Sequence, residues 1–232
     1  MNIPKKKWQV SPRIPQKADA DLHGYPPILR QILYNRGCGR REKARQYLEA
    51  QPSFDTDPFQ LIGIPQAVDR LLRAIQENET IAIYGDYDVD GVSATALLVQ
   101  YLSDIGAKAI AYIPDRFDEG YGLNIDAITK LEENGANLII TVDCGIRAID
   151  EAEYARQLGL DLIVTDHHHA GEKLPDALAV IDPKQPNAPY PEKNLAGVGV
   201  AYKLVAALDT RISAPKIEIE SYLDLVALGT VA

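Results

Sequence analysis

Aspartate residues follow four short apolar segments of this chain, at the point where each segment ends. The first of these places carries three aspartates in alternation, Asp86, Asp88 and Asp90, within the sequence GDYDVDG. The other three are Asp143-Cys144-Gly145, Asp166-His167-His168-His169 and Asp182-Pro183. If the apolar segments are neighbouring parallel strands, these groups meet at one edge of a sheet, where such folds bind ligands.

Carboxylates gathered in this way need compensation, because like charges raise one another's pKa and cost stability. A divalent cation supplies it, and carboxylate with imidazole, without a thiolate pattern, favours Mn²⁺ or Mg²⁺ over structural Zn²⁺. Two ions sharing a carboxylate are a common hydrolytic arrangement for phosphate esters. The alternatives are simpler: Asp166 or Asp182 could only cap a helix. A calcium loop is excluded, because its twelfth position would be Leu97 instead of glutamate.

The elements that must position these residues form an alternating pattern from residue 79 onwards. Apolar runs predict strands at 81–84, 109–113, 138–142, 162–165 and 178–181, and helical periodicity predicts helices at 92–102, 125–133, 148–158 and 222–231. Near-continuous apolar strands between amphipathic helices indicate an α/β fold, a parallel sheet with helices on both faces. Residues 1–78 read as a small helical N-terminal region, which gives two expected domains, 1–78 and 79–232.

Composition narrows the class of protein. The 232 residues carry a net charge of -9, which argues against coating duplex DNA by charge alone. The hydrophobic fraction of 46% is that of a globular protein. Cys38 and Cys144 are too few for a disulfide framework, and the basic start is not followed by an apolar stretch. We therefore expect a reduced, cytoplasmic protein without a membrane segment.

The three motifs GDYDVDG, VDCG and DHH closely resemble signature motifs of the DHH phosphoesterase superfamily. Further segments resemble its RecJ-type branch of single-strand-specific exonucleases: IPDRFDEGYGLN at 113–124, LAGVGVAYKL at 195–204 and DLVALGTVA at 224–232. The resemblance extends upstream through PPILRQILYNRGC and DPFQLIGIPQAVDRLLRAI, and so covers most of the chain.

The resemblance implies roles for individual residues. Asp88 and Asp90 would be metal ligands, Asp143 would bridge two Mn²⁺ or Mg²⁺ ions, and His167 would bind one of them. His168 would contact the scissile phosphate or assist protonation. Asp166 would orient His167, a partnership expected for metal-bound imidazoles.

Four residues are candidates for substrate binding. Arg116 could clamp a phosphate or form a surface ion pair. Gly197 and Gly199 open a predicted helix and could cradle a phosphate with backbone amides, or simply form a tight turn. Tyr121, like Tyr87, could stack on a base or pack in the core.

The sequence departs from the family pattern at two places. Many members carry a histidine four residues before Asp88, where this chain has Tyr84, so Asp86 could replace it as a ligand. The family also continues past GTVA into a further aspartate, whereas this sequence stops at Ala232. We therefore expect an N-terminal catalytic fragment, with weakened metal binding, poor affinity for single strands and a partly uncovered helix at 222–231.

The function that the resemblance implies is metal-dependent hydrolysis of phosphodiester bonds in single-stranded DNA, as a 5′ to 3′ exonuclease in DNA repair and recombination. Single-strand-binding protein and a helicase would be its partners. The alternatives are a DHH-type phosphoesterase acting on short oligonucleotides or pyrophosphate, and a non-catalytic scaffold of replication complexes with the same fold.

Overall fold

A computed structural model describes residues 9–49, 56–117, 119–213 and 217–231. Residues 1–8 and 50–55 of the expected helical lead, and Ala232, lie outside this part of the chain. The described residues group into two compact units, within 1–55 and 56–232. In the part described, no helix has the length and apolar character needed to cross a bilayer.

The smaller unit consists of three helices, α1 (Gln16–Asp21), α2 (Pro27–Asn35) and α3 (Arg41–Leu48). Pro27 occupies the first turn of α2, where its missing N–H group costs nothing. Leu22, Leu33 and Ala44 form the buried core of this unit.

The larger unit is built on a five-stranded parallel sheet. Its strands are β1 (Thr80–Tyr84), β2 (Lys108–Tyr112), β3 (Leu138–Val142), β4 (Asp161–Thr165) and β5 (Ala179–Ile181). They lie in the order β2-β1-β3-β4-β5, and every neighbouring pair is parallel. The α/β class and all five strands predicted from the apolar runs are confirmed. The chain changes direction across the sheet between β1 and β3, and this switch point opens a crevice at the carboxyl ends of the two strands.

Helices cover both faces of the sheet. The larger core cluster includes residues of α4 (Ile64–Glu77), α5 (Val89–Asp104) and α8 (Gly197–Asp209), and α9 (Leu223–Val231) packs against α5 and α8. The opposite face carries α6 (Ile125–Glu133) and α7 (Ile149–Gln157). Strand residues alternate between these cores, as Ile83 and Tyr84 do. In α9, Leu228 is 56% exposed and Val231 85% exposed, so this helix is partly uncovered, as expected.

Helix α4 belongs to the compact unit of the sheet. Ala67, Val68 and Leu71 enter its core, and the buried Arg70 forms ion pairs with Glu79 at 2.6 Å and with Asp161. The compact unit of the sheet therefore includes α4, which the sequence analysis assigned to the helical region 1–78. The division into domains 1–78 and 79–232 stays a prediction.

Candidate metal centre

The carboxyl ends of β1, β3 and β4 bring the candidate ligands together. β1 runs into Asp86, Asp88 and Asp90, β3 into Asp143, and β4 into the Asp166–His169 segment. Two groups of donor atoms result, and the atoms of each group lie within 4.8 Å of one another. One group comes from Asp86, Asp88 and Asp143, and the other comes from Asp143, His167 and His168. Asp143 belongs to both groups.

Asp143 combines burial with an unusual backbone conformation. Its φ of 61° lies in the left-handed region, which aspartate tolerates better than most residues, and it is 1% exposed. Oδ1 lies 3.0 Å from Nε2 of His167 but makes no well-formed hydrogen bond within the described residues. Burial raises the pKa of Asp143 to about 6. A buried carboxylate oxygen without a proper donor is what a divalent cation would satisfy, and the donor set therefore fits Mn²⁺ or Mg²⁺.

The ring of His167 is fixed by a backbone carbonyl. Nδ1 lies 3.0 Å from the oxygen of Leu195, and because a carbonyl can only accept, Nδ1 carries the proton. Nε2 then keeps its lone pair in the neutral ring and faces Asp143, with Oδ2 of Asp90 at 3.7 Å. The contact with Asp143 raises the pKa of His167. This is the orientation that a metal-binding imidazole needs.

Asp166 holds a different ring from the one expected. Its Oδ1 lies 2.7 Å from Nδ1 of His168 and accepts the backbone N–H groups of His167 and His168. Its Oδ2 accepts the N–H of Ile146 at 2.9 Å. The prediction that Asp166 orients the imidazole of His167 was therefore wrong, because Leu195 does so.

The pairing with Asp166 also sets the charge of both partners. Burial opposes ionisation of Asp166, but the hydrogen bonds from His168, Ile146 and the loop amides outweigh it and lower the pKa of this carboxyl. The same hydrogen bond raises the pKa of His168. His168 is thus a half-exposed imidazole backed by an ionised carboxylate, the arrangement of a general acid or of a cationic phosphate contact.

The three aspartates after β1 differ in their surroundings. Asp86 is buried and accepts the N–H of Tyr87 at 2.7 Å, and burial raises its pKa. Asp88 is exposed and caps α5 by accepting the N–H of Gly91 at 3.0 Å. Asp90 accepts two amides at the start of α8, so its expected role as a ligand stays a prediction.

Gly197 serves the site in a way that differs from the prediction. The amides of Gly197 and Val198 each donate to the Asp90 carboxylate at 2.7 Å, so they are not free to cradle a phosphate. A Cβ at Gly197 would lie 2.7 Å from Oδ1 of Asp143, whereas a Cβ at Gly199 would meet only Leu195, at 3.5 Å. The phosphate-cradle prediction is thus corrected for Gly197, where glycine lets α8 approach Asp143 closely, and it stays a prediction for Gly199.

Tyr84 points away from the donor groups. It stacks on Tyr112 with ring centroids 5.3 Å apart, and its hydroxyl donates to the carbonyl of Gly122 and accepts from Asn124. Asp86, and not Tyr84, therefore stands beside Asp88 and Asp143.

The candidate substrate residues lie at the rim of the centre. The guanidinium of Arg116 lies 4.9 Å from the centroid of the half-buried ring of Tyr87. Tyr121 is 58% exposed and meets Tyr87 and His168 edge-on, with centroids 6.4 and 6.3 Å away. Phosphate binding by Arg116 and base stacking by Tyr121 stay predictions.

Sequence reasoning missed two parts of the supporting structure. Leu195 acts through its carbonyl, which no side-chain pattern reveals. Lys184 donates from Nζ to the carbonyl of His167. Its position two residues after Asp182 was the one sign in the sequence that it would lie near the site. Asp182 is completely buried, accepts the N–H of Lys184 at 2.6 Å and has its pKa raised by burial to about 6. A turn follows Asp182 and the next helix, α8, begins only at Gly197, so Asp182 does not cap a helix.

Comparisons with known proteins agree with this geometry. The single-stranded-DNA-specific exonuclease RecJ of Bacillus subtilis is 44% identical over 236 residues, covering 98% of this chain and 28% of the relative. Its Escherichia coli counterpart is 41% identical, covering 89% of this chain and 37% of the relative. This chain thus spans well under half the length of either curated relative.

Solved structures give the same result. A crystal structure of exonuclease RecJ bound to manganese superimposes with a TM-score of 0.68 at 37% identity, covering 74% of this chain and 43% of the other. RecJ from Thermus thermophilus in complex with Mn²⁺ gives 0.69 at 30% identity, covering 94% of this chain and 30% of the other. The family model for the N-terminal domain of the DHH family matches residues 80–230, a range that contains the whole sheet and every residue of both donor groups. This chain therefore belongs to the DHH family.

Proposed function

We propose that this chain forms the metal-binding catalytic portion of a nuclease that hydrolyses phosphodiester bonds in single-stranded DNA, with 5′ to 3′ polarity. The observation that carries the proposal is Asp143, a buried carboxylate shared by two donor groups. One shared carboxylate between two sets of oxygen and nitrogen donors suits a pair of divalent cations. The RecJ relatives, which are named as single-strand-specific exonucleases, supply the substrate class.

Five residues of the two groups divide into ligands and a proton carrier. Asp86, Asp88, Asp143 and His167 would hold Mn²⁺ or Mg²⁺, with Asp90 close to His167. When bound, such ions lower the pKa of water to give a nucleophile and stabilise charge on phosphate oxygens. The carbonyl of Leu195 keeps Nε2 of His167 available for this purpose by accepting the hydrogen bond from Nδ1–H.

His168 and Asp166 supply proton transfer and phosphate contact. The Nδ1 proton of His168 is held by Asp166, so Nε2 is the nitrogen that can meet the substrate. Because the hydrogen bond to Asp166 raises the pKa of His168, the imidazolium form is favoured. That form donates from Nε2 to a phosphate oxygen or to the departing oxygen of the scissile bond.

The wider setting belongs to the same proposal. DNA repair and recombination are the processes in which a single-strand exonuclease acts, and single-strand-binding protein and a helicase are the partners that would supply its substrate. A cytoplasmic location follows from that role. These statements depend on the similarity to RecJ proteins, of which this chain spans a minor part.

The test is degradation of a 5′-labelled single-stranded oligonucleotide by the 232-residue chain in Mn²⁺. Asp143→Asn is the matched control, because asparagine keeps the side-chain shape and tolerates the left-handed backbone. We expect cleavage by the wild type and none by the variant, and equal cleavage by both would contradict the assignment. A dinucleotide and pyrophosphate tested in parallel separate the other phosphoesterase activities. A chain that binds Mn²⁺ but cleaves none of the three substrates would instead support the scaffold alternative.

A further inference from the structure

A cavity of about 410 Å³ lies beside His168. Its walls come from the loops that follow β2, β3 and β4, and they include Tyr121, Gly122, Gly145, Arg147, His168 and His169. The cavity therefore adjoins the imidazole that the proposed function assigns to substrate contact. Its volume is within the range of pockets that enclose a small organic ligand, about 300–1,000 Å³.

The wall that carries Arg147 is tied to the metal centre by hydrogen bonds. Asp166 accepts the N–H of Ile146 at 2.9 Å and the ring N–H of His168 at 2.7 Å. Arg147 in turn donates from Nε to the carbonyl of His169 at 2.8 Å. Among the described residues this is the hydrogen bond that its guanidinium makes, so the two Nη groups remain available in a fixed place.

The chemistry of the lining matches one nucleotide. Tyr121 and His168 meet edge to face, and glycine at 122, where a Cβ would have nothing within 4 Å, leaves room beside them. Glu151 also lines the cavity, and its negative charge disfavours a phosphate in its own neighbourhood. A phosphate would therefore lie at Arg147, whose exposed fork of N–H groups suits phosphate oxygens, and the uncharged base and sugar would fill the remainder.

We propose that this cavity binds the nucleotide next to the scissile phosphate, with Arg147 contacting the neighbouring phosphodiester. The inference deepens the proposed function and depends on it, because the scissile phosphate must lie at the donor groups around Asp143. Arg147 is then a substrate-binding residue. It holds the strand by the phosphate next to the scissile phosphate.

The experiment compares two thymidine nucleotides that differ by one phosphate. Thymidine 5′-monophosphate can occupy only the metal centre with its phosphate, whereas thymidine 3′,5′-bisphosphate can also reach Arg147. Binding of each to the full chain is measured by calorimetry in Mn²⁺, for the wild type and for Arg147→Gln. Arg156→Gln is the matched control, since Arg156 is another exposed arginine, pairs with Glu153 at 2.7 Å and is absent from the cavity wall.

We expect the bisphosphate to bind the wild type about tenfold more tightly than the monophosphate, through one charge-assisted contact at an exposed site. Arg147→Gln should remove that advantage and leave monophosphate affinity within about twofold, while Arg156→Gln should keep the advantage. An advantage that survives in Arg147→Gln, or is missing in the wild type, overturns the assignment.

A titration with Mn²⁺ alone separates this inference from the proposed function. Equal Mn²⁺ affinity in all three proteins is expected, because neither arginine contacts a donor group. If the wild type binds Mn²⁺ but shows no preference for the bisphosphate, only the cavity assignment fails. If it binds neither Mn²⁺ nor nucleotide, both the cavity assignment and the proposed function fail.

Discussion

Replacing Asp143 by asparagine should stabilise the metal-free chain while removing its response to Mn²⁺. Burial raises the pKa of this carboxyl from 3.8 to about 6. Each pKa unit corresponds to about 1.4 kcal/mol, so keeping the side chain ionised at neutral pH costs the folded chain about 3 kcal/mol. Asparagine is uncharged and tolerates the φ of 61° at this position. We therefore expect the free energy of unfolding in EDTA at neutral pH to rise by about 1–3 kcal/mol.

The stability of the metal-free chain should also depend on pH. Because folded Asp143 keeps its proton to a higher pH than the unfolded chain does, the free energy of unfolding should fall as pH rises between 3.8 and about 6. This part of the fall should be missing from Asp143→Asn.

Urea unfolding followed by circular dichroism measures both effects, with EDTA and then with Mn²⁺. Saturation of the wild type with Mn²⁺ at about 100 times its dissociation constant should add about 2.7 kcal/mol, and the variant should gain much less. The reasoning is refuted if Asp143→Asn is less stable than the wild type in EDTA. It is equally refuted if Mn²⁺ stabilises the two proteins to the same extent.

Five further substitutions test the contacts around the site and in the core. Gly197→Ala places a methyl group against the shared carboxylate and should cost about 1–3 kcal/mol in urea unfolding and weaken Mn²⁺ binding. Gly199→Ala, on the same helix, should change stability by less than about 1 kcal/mol, and equal effects would contradict the close-approach argument. His167→Ala should weaken Mn²⁺ binding in calorimetry about tenfold or more. By contrast, His168→Ala should leave Mn²⁺ affinity unchanged and lower the cleavage rate about 10²-fold or more, so a loss of Mn²⁺ affinity would make His168 a ligand. Arg70→Ala leaves the partly buried Glu79 without its cation and Asp161 with Arg73 alone, and should cost about 2–4 kcal/mol in urea unfolding, a value that an effect below 1 kcal/mol would contradict.

The strands and their terminal aspartates were predictable because they depend on continuous apolar runs and on the rule that ligands gather at the carboxyl ends of parallel strands. Predicted and observed strand ends differ by no more than one residue, and the helix at 125–133 has the predicted bounds. The start of α5 was predicted three residues late, because Asp88 caps the helix from within the ligand motif itself.

What the sequence could not predict are contacts made by backbone atoms. The carbonyl of Leu195 and the amides of Gly197 and Val198 each determine where a candidate ligand points, yet any residue has such groups. The roles of Asp166 and Gly197 were therefore misassigned, although both positions were recognised as part of the site.

The segment Leu195–Val198 has a consequence for the dynamics of the molecule. It touches His167, Asp90 and Asp143, which come from three different strand ends, so a local opening at the start of α8 would release all three side chains together. The two donor groups should thus become ordered and disordered together, as one cooperative unit. Amide hydrogen exchange at Gly197 and Val198 reports on that unit directly, and protection at these two positions is expected to rise when a divalent cation draws the three side chains together.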